Sequence, residues 1–235
     1  MTNKSPDLAT KQRRPVGRPR GDGKPHLTRQ RVFEICTKLI AEHGFAGTSI
    51  RMMATALDAS PASLFNLFGS KDGLLNELIL YAAQASFSFY EELKRVDAEP
   101  EVLLYKSIYE EVIAVASADQ DYVGIFYLPE LRKPEFSSAQ AVRTRMVAHY
   151  AGLIEACLSK STLKADQAHL AAEQLFQLTE TSILAPHLAG ELTPEEQARA
   201  TADFCFRALR CDEVKLQNAR EAAAKIDLSI MPPTA

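Results

Sequence analysis

The sequence predicts an all-α protein, and three observations carry that prediction. Apolar residues recur at three- and four-residue spacing from Val32 onward. Helix start and stop signals punctuate the chain at Thr28, Gly44, Ser60-Pro61, Ser70 and Thr193-Pro194. Proline clusters near the two ends, leaving most of the middle free to be helical. The architecture expected is a three-helix helix-turn-helix domain followed by a larger helical domain. The boundaries are a disordered basic arm (1–25), a DNA-binding domain (26–79), a ligand-binding and dimerisation domain (80–226) and a tail (227–235).

Composition bounds the function. With 235 residues and 46% hydrophobic content the chain is long enough for a real core. No run reaches the roughly 18 apolar residues of a membrane span, and the N-terminus has no apolar signal-peptide core, so a cytoplasmic protein is expected. Cys36, Cys157, Cys205 and Cys211 form no Cys-x-x-Cys pair and have no His at ligand spacing, so neither a metal site nor a cofactor is expected. The net charge of −3 is unevenly spread: residues 1–31 carry +7 and the rest −10. A basic arm on an acidic body offers a polyanion one end only.

Residues 1–25 are polar, rich in Pro and basic side chains, and aperiodic. Gly17-Arg18-Pro19-Arg20-Gly21 resembles the core of an AT-hook. Two readings stand: Arg18 and Arg20 enter a narrow minor groove, or the tail attracts phosphates without specificity. From Thr28 an amphipathic helix runs over Val32, Ile35, Cys36, Leu39 and Ile40 to Gly44. The next starts near Thr48 or Ser49. Ala54 fits the position where two helices cross closely, Asp58 the turn where φ exceeds zero, and Leu64 and Leu67 the inner face of the second helix. Ser60 then caps a short helix with Pro61 in its first turn. Its outward positions, Pro61, Ala62, Ser63 and Asn66, are small or polar, as entry into a major groove requires. Phe65 either joins them or packs on the preceding helix. Ser70 caps a long helix, and Lys71 beside its first N–H groups is expected to clamp a phosphate.

Residues 29–79 resemble the DNA-binding domain of tetracycline-repressor (TetR) family regulators. The resemblance rests on Gly44-Phe45, Thr48-Ser49-Ile50, Met53-Ala54, Ser60, Ser63-Leu64-Phe65, Phe68 and Ser70-Lys71-Asp72-Gly73-Leu74. Asp58-Ala59 replaces the usual Gly-Val, Ala62 a common Gly, Phe65 the usual Tyr, and Leu67 a commonly polar residue. The resemblance implies a homodimeric transcription factor, most readily a ligand-responsive repressor of a palindromic operator. Thr48, Ser49, Arg51 and Lys71 are then expected at phosphates, and Ser60, Ala62, Ser63 and Asn66 at base edges.

Beyond residue 80 the sequence reads as helices near 71–96, 101–118, 121–132, 135–159, 164–188 and 194–211, with a final one after Cys211. In the family the last two long helices pair with their mates. Here these are 164–188, bearing Leu170, Leu175, Phe176, Leu178 and Ile183, and 194–211, bearing Phe204, Phe206 and Leu209. A small-molecule effector would sit among the helices from 71 to 188. By location alone Phe87, Tyr90, Tyr105, Tyr109, Phe126, Tyr127, His149 and Phe176 are candidates for its lining. The rival class is a small-molecule-binding scaffold whose DNA reading has weakened, which Asp58 and Leu67 would favour. An enzyme is not expected, because no catalytic spacing or Gly-rich phosphate loop occurs.

Overall fold

The computed structural model describes residues 27–165, 167–181 and 191–231. The basic arm, with Arg18 and Arg20, lies outside them, as do residues 182–190 with Ile183. Every regular element among the described residues is helical.

Four helices come first, each started by a side-chain cap. Helix α1 (Arg29–Gly47) begins where Thr28 accepts the Arg31 N–H at 3.2 Å. Its regular part ends at His43, because Gly44 turns the chain with φ +71°. Helix α2 (Ile50–Ala56) is capped by Ser49, so the choice between Thr48 and Ser49 falls to the serine. Helix α3 (Pro61–Phe68) is capped by Ser60 and α4 (Lys71–Leu93) by Ser70. The turn between α3 and α4 is so tight that a Cβ at Gly73 would lie 2.2 Å from the Phe68 carbonyl oxygen.

The larger part comprises α5 (Pro100–Ser117), α6 (Gln120–Gly124), α7 (Ser137–Ser159), α8 (Ala168–Thr179), α9 (Pro194–Ala208) and α10 (Glu213–Ala223). The helix expected over 121–132 is a correction. α6 stops at Gly124 and is followed by three single 3-10 turns, 125–127, 129–132 and 134–136. Pro129 and Pro134 cause the breaks: neither has an N–H, and each pushes the residue before it, Leu128 (ψ 128°) and Lys133 (ψ 152°), out of the helical region. The helix expected from 164 starts at Ala168, because the Lys164 N–H bonds to the Leu209 carbonyl instead. The boundary expected at residue 79 falls inside α4, whose apolar residues belong to one continuous core running from Val32 to Ile230. Nor does the chain trail off at 227: Ile230 is buried and Leu228 packs on the same core.

Within that core Phe33 lies 5.7 Å from Phe68 and 5.0 Å from Tyr81, tying α1 to α3 and α4. Helix α5 runs through the middle, packed against α7, α9 and α10. Tyr105 donates to Asp203 at 2.9 Å, and the same carboxylate receives Arg220 at 2.5 Å, which clips α5, α9 and α10 together. The four cysteines are free, and burial pushes the Cys36, Cys157 and Cys205 thiols up to about 12.

Three helices end in the same way without a glycine. Asp58, Ser161 and Arg210 take φ values of +49°, +56° and +54°. The next N–H reaches back five residues in each case: Ala59 to Ala54, Thr162 to Cys157 and Cys211 to Phe206, at 2.9–3.0 Å. A side chain in that conformation is strained, whereas glycine is not. Ser161→Gly is therefore expected to raise the unfolding free energy by about 0.5–1 kcal/mol in a urea titration. No gain would mean that its backbone strain is relieved in another way.

Candidate DNA-reading face and ligand cavity

The α2–α3 pair is held by its interior. Met53, Ala54, Leu57, Leu64 and Phe68 are buried, and Asp58 supplies the left-handed turn between the helices. Leu67 packs against the core rather than standing outward. The two departures that would favour decayed DNA reading thus have structural roles. On the outer side Pro61, Ala62, Phe65 and Asn66 are exposed, and Phe65 keeps 63% of its surface in solvent. Of the two positions open to Phe65, it takes the outward one. Ser60 and Ser63 face each other, Oγ to Oγ at 2.8 Å, while Ser60 also receives the Ser63 N–H. Arg51 and Ser49 are exposed beside this face, on and just before α2.

Two expected phosphate contacts are engaged internally instead. The Lys71 ammonium donates to the Phe45 carbonyl at 2.8 Å and the Thr48 carbonyl at 3.0 Å, and sits 4.3 Å from the centre of the Phe45 ring. Thr48 is buried, its hydroxyl 2.8 Å from the Gly44 carbonyl and 3.0 Å from that of Leu39. A lysine whose protons are committed to carbonyls is poorly placed to neutralise DNA. Both residues instead lock the end of α1 to the starts of α2 and α4.

A cavity of about 510 Å³ opens in the larger domain, within the usual range for small-molecule sites. Ile79 of α4, Glu111 and Val115 of α5, and Phe176, Gln177 and Glu180 at the end of α8 line it. Val123, Phe126, Tyr127, Leu128, Leu131 and Arg132 come from the broken 121–132 segment, and Gln140, Arg143 and Met146 from α7. Gln140 secures that segment by donating to the Leu131 and Lys133 carbonyls at 2.9 and 3.0 Å.

The cavity's buried carboxylates lie close together. Burial raises Glu111 to about 7, against the pull of bonds from Tyr90 (2.8 Å) and Ser86 (3.2 Å), and the Glu180 charge pushes the same way. Glu180 is itself raised by burial. Burial, then the Glu180 carboxylate beside it, push the Tyr127 phenol up; the hydroxyl lies next to Glu180 without a well-aligned hydrogen bond. Arg143 is raised by its 2.7 Å pair with Glu173.

Of the eight lining residues expected, Phe126, Tyr127 and Phe176 do line this cavity. Tyr90 and His149 do not. They stack at 3.8 Å and border a separate groove of about 410 Å³. Phe87 lies under the Arg145 guanidinium at 4.0 Å, Tyr105 serves the Asp203 clip, and Tyr109 lies outside the lining. Glu111, Glu180 and Arg143 were missed, since nothing in a charge on a helix face distinguishes an inward position from a solvated one.

Residues 37–78 match the family model for bacterial regulatory proteins of the tetR family. Residues 37–78 thus carry the tetR-family region, which takes in the end of α1, the α2–α3 pair and the start of α4. The fold agrees with solved structures along most of the chain. Mycobacterium smegmatis AmtR has 21% identity and a TM-score of 0.69, over 92% of this chain and all of that one. The TetR-family regulator PfmR of Thermus thermophilus has 25% identity and a TM-score of 0.63, over 75% of this chain and 97% of that one. AibR, solved with isovaleryl coenzyme A and operator DNA, has 17% identity and a TM-score of 0.66, over 76% and 97%. No curated protein matches in sequence. Among the described residues no helix is long and apolar enough to cross a membrane.

Two buried titratable groups, Glu111 and His149, oppose one another. Glu111 titrates near 7 in the fold against an ordinary 4.5, so the native state holds its proton more tightly, and that stabilisation is lost as pH rises from 4.5 through 7. His149 is lowered by burial and Lys94 to about 4 from 6.5, so its contribution is complete above 6.5 and is lost as pH falls toward 4. Glu111→Gln should therefore make stability rise more steeply between about pH 5 and about pH 6.5, and His149→Gln should make it fall there. Urea midpoints across that range check both signs; parallel curves for the two variants would show that neither group is so shifted.

Proposed function

We propose that this protein is a TetR-family, ligand-responsive repressor that binds a palindromic operator as a homodimer. The observation that carries the reading is the outer face of α3, where Ala62, Phe65 and Asn66 project from a capped and rigidly seated helix. Small residues let the backbone approach the groove floor. Asn66 supplies donors and an acceptor, and the Phe65 ring suits a thymine methyl or a sugar. One such helix contacts few bases, so two copies one helical turn apart are needed for specificity.

The second copy would meet α8 and α9. Leu170 and Phe204 stand there 51% and 60% exposed, beside a groove lined in part by Ala171, Leu178 and Ala208. Leu175, Phe176, Phe206 and Leu209, expected at the same interface, are buried in their own subunit instead. Exposed aromatic and aliphatic anchors flanked by small residues are the composition of a helix-pair interface.

A route from cavity to DNA is available. The 125–136 segment lines the cavity on one side. On the other, buried Phe136 meets Phe45 edge-on at 5.9 Å, and the Asn76 amide donates to the Glu135 carbonyl at 3.1 Å. Phe45 is the residue Lys71 holds. A ligand that favours one placement of this segment shifts the spacing of the two α3 helices. It can act only by binding the two placements unequally. That AibR was solved with both a small molecule and operator DNA supports the same pairing of sites here.

A gel shift with the DNA upstream of its own gene tests the reading, and no shift at low salt would sink it. Arg51→Ala should flatten the slope of log affinity against log salt by about 0.9, one phosphate contact. Lys71→Met should leave the slope unchanged while lowering stability by about 2 kcal/mol; a flattened slope would restore Lys71 to the phosphates. Phe204→Glu should halve the mass seen by sedimentation and weaken operator binding by at least about tenfold. A dimer of unchanged mass would place the interface elsewhere.

A further inference from the structure

The cavity's chemistry specifies more than its size does. Apart from Arg132 and Arg143, the charged groups lining it are the carboxylates of Glu111 and Glu180. Arg143 is already neutralised by Glu173, its guanidinium lying 5.4 Å from the Phe176 ring centre. Arg132 is exposed at the rim. An anion entering the cavity would therefore meet a guanidinium that is already paired and two desolvated carboxylates. A neutral ligand would leave the buried Tyr127 hydroxyl and the Glu180 carboxylate to each other.

Building on the reading of this chain as a ligand-responsive regulator, we propose that the effector is an organic cation. It would lay an apolar body against Phe126, Phe176 and Met146 and set one positively charged nitrogen at the Glu111–Glu180 wall. The Glu180 carboxylate, which lines the cavity beside Glu111, sets the sign of the field there. Glu180 disfavours a second negative charge on Glu111, disfavours ionisation of Tyr127, and favours the charge on Arg143. A cationic nitrogen relieves the first two at once. It pairs with carboxylates that burial has stripped of water, and aromatic rings add cation–π attraction. Tyr127 can accept an N–H from the ligand while donating to Glu180.

Calorimetric titration of the full-length protein with 3-phenylpropylammonium, 3-phenylpropan-1-ol and 3-phenylpropanoate tests the proposal, since the three share a skeleton and differ in charge. The ammonium is expected to bind at least about tenfold more tightly than either of the others. Glu180→Gln should remove most of that preference while leaving the alcohol within about twofold. Tyr127→Phe, which deletes one oxygen from a ring that stays packed, should weaken the ammonium selectively and stands in if Glu180→Gln does not fold. Preference for the carboxylate would hand the cavity to Arg132 and Arg143 and overturn the proposal. Equal binding of all three, or binding of none, would overturn it as well. The gel shift is read separately. DNA binding without ammonium binding removes only the cation, and ammonium binding without DNA binding removes only the regulator.

Discussion

The DNA-reading unit depends on one ammonium group. Lys71 stands at the first turn of α4 and commits two of its protons to carbonyls from the far end of α1, with the Phe45 ring beneath it. Taking an ammonium partly out of water costs several kcal/mol unless its donors are met. Here two carbonyl oxygens and a ring face meet them, so the geometry is tightly specified. Gly44 must turn with positive φ to bring Phe45 inward. Thr48 must bury its hydroxyl against the same turn, and Gly73 must lack a Cβ so that α4 can start beside the end of α3. The buried interior of the three helices before α4 is continuous with that of α4, and this junction fixes them to it.

The same junction decides what the DNA-reading unit can sense. Phe45 touches Lys71 on one side and Phe136 on the other, and Phe136 ends the segment that walls the cavity. Among the described residues that segment is an irregular part of the larger domain. Two prolines deny it helical hydrogen bonds, and Gln140 replaces a pair of them with side-chain donors. Backbone with few internal bonds is easier to displace than a helix. A displacement there meets a rigid coupling at Phe45 rather than another soft loop, which is what transmission over a distance requires.

The start signals were legible because they are local. Ser49, Ser60-Pro61, Ser70 and Thr193 each act on an N–H within three residues, so composition at one place decides the outcome there. Asp58 at the turn was legible for the same reason. The role of Lys71 was not: the motif Ser70-Lys71-Asp72 marks a helix start, but its acceptors lie 23 and 26 residues away in sequence. The prolines at 129 and 134 were visible, yet a helix was expected through Pro129 to residue 132; it ends at Gly124, and each proline removes a donor and bends its predecessor. Aromatics proved poor guides to the cavity. Tyr90, Tyr105 and His149 are as central as Phe126 and Phe176, but their polar ends are satisfied by Glu111, Asp203 and Ser107.

Satisfaction of polar atoms, more than hydrophobicity, separates core from site in this protein. Around Asp203 the donors and acceptors close on one another: a phenol and a guanidinium meet one carboxylate, and nothing is left to recruit a ligand. In the cavity they do not close. Glu111 accepts from both Tyr90 and Ser86 and still sits at about 7, because those two hydroxyls do not offset its desolvation. Tyr127 sets its hydroxyl beside a second carboxylate, Glu180, without a well-aligned bond to it. A fold that buries carboxylates with their desolvation only partly offset loses stability, and a ligand donor would recover part of that loss. A ligand bringing positive charge, a donor and apolar bulk would meet the carboxylates on α5 and after α8, while the 125–136 wall of the same cavity is the one that the α1–α4 junction touches.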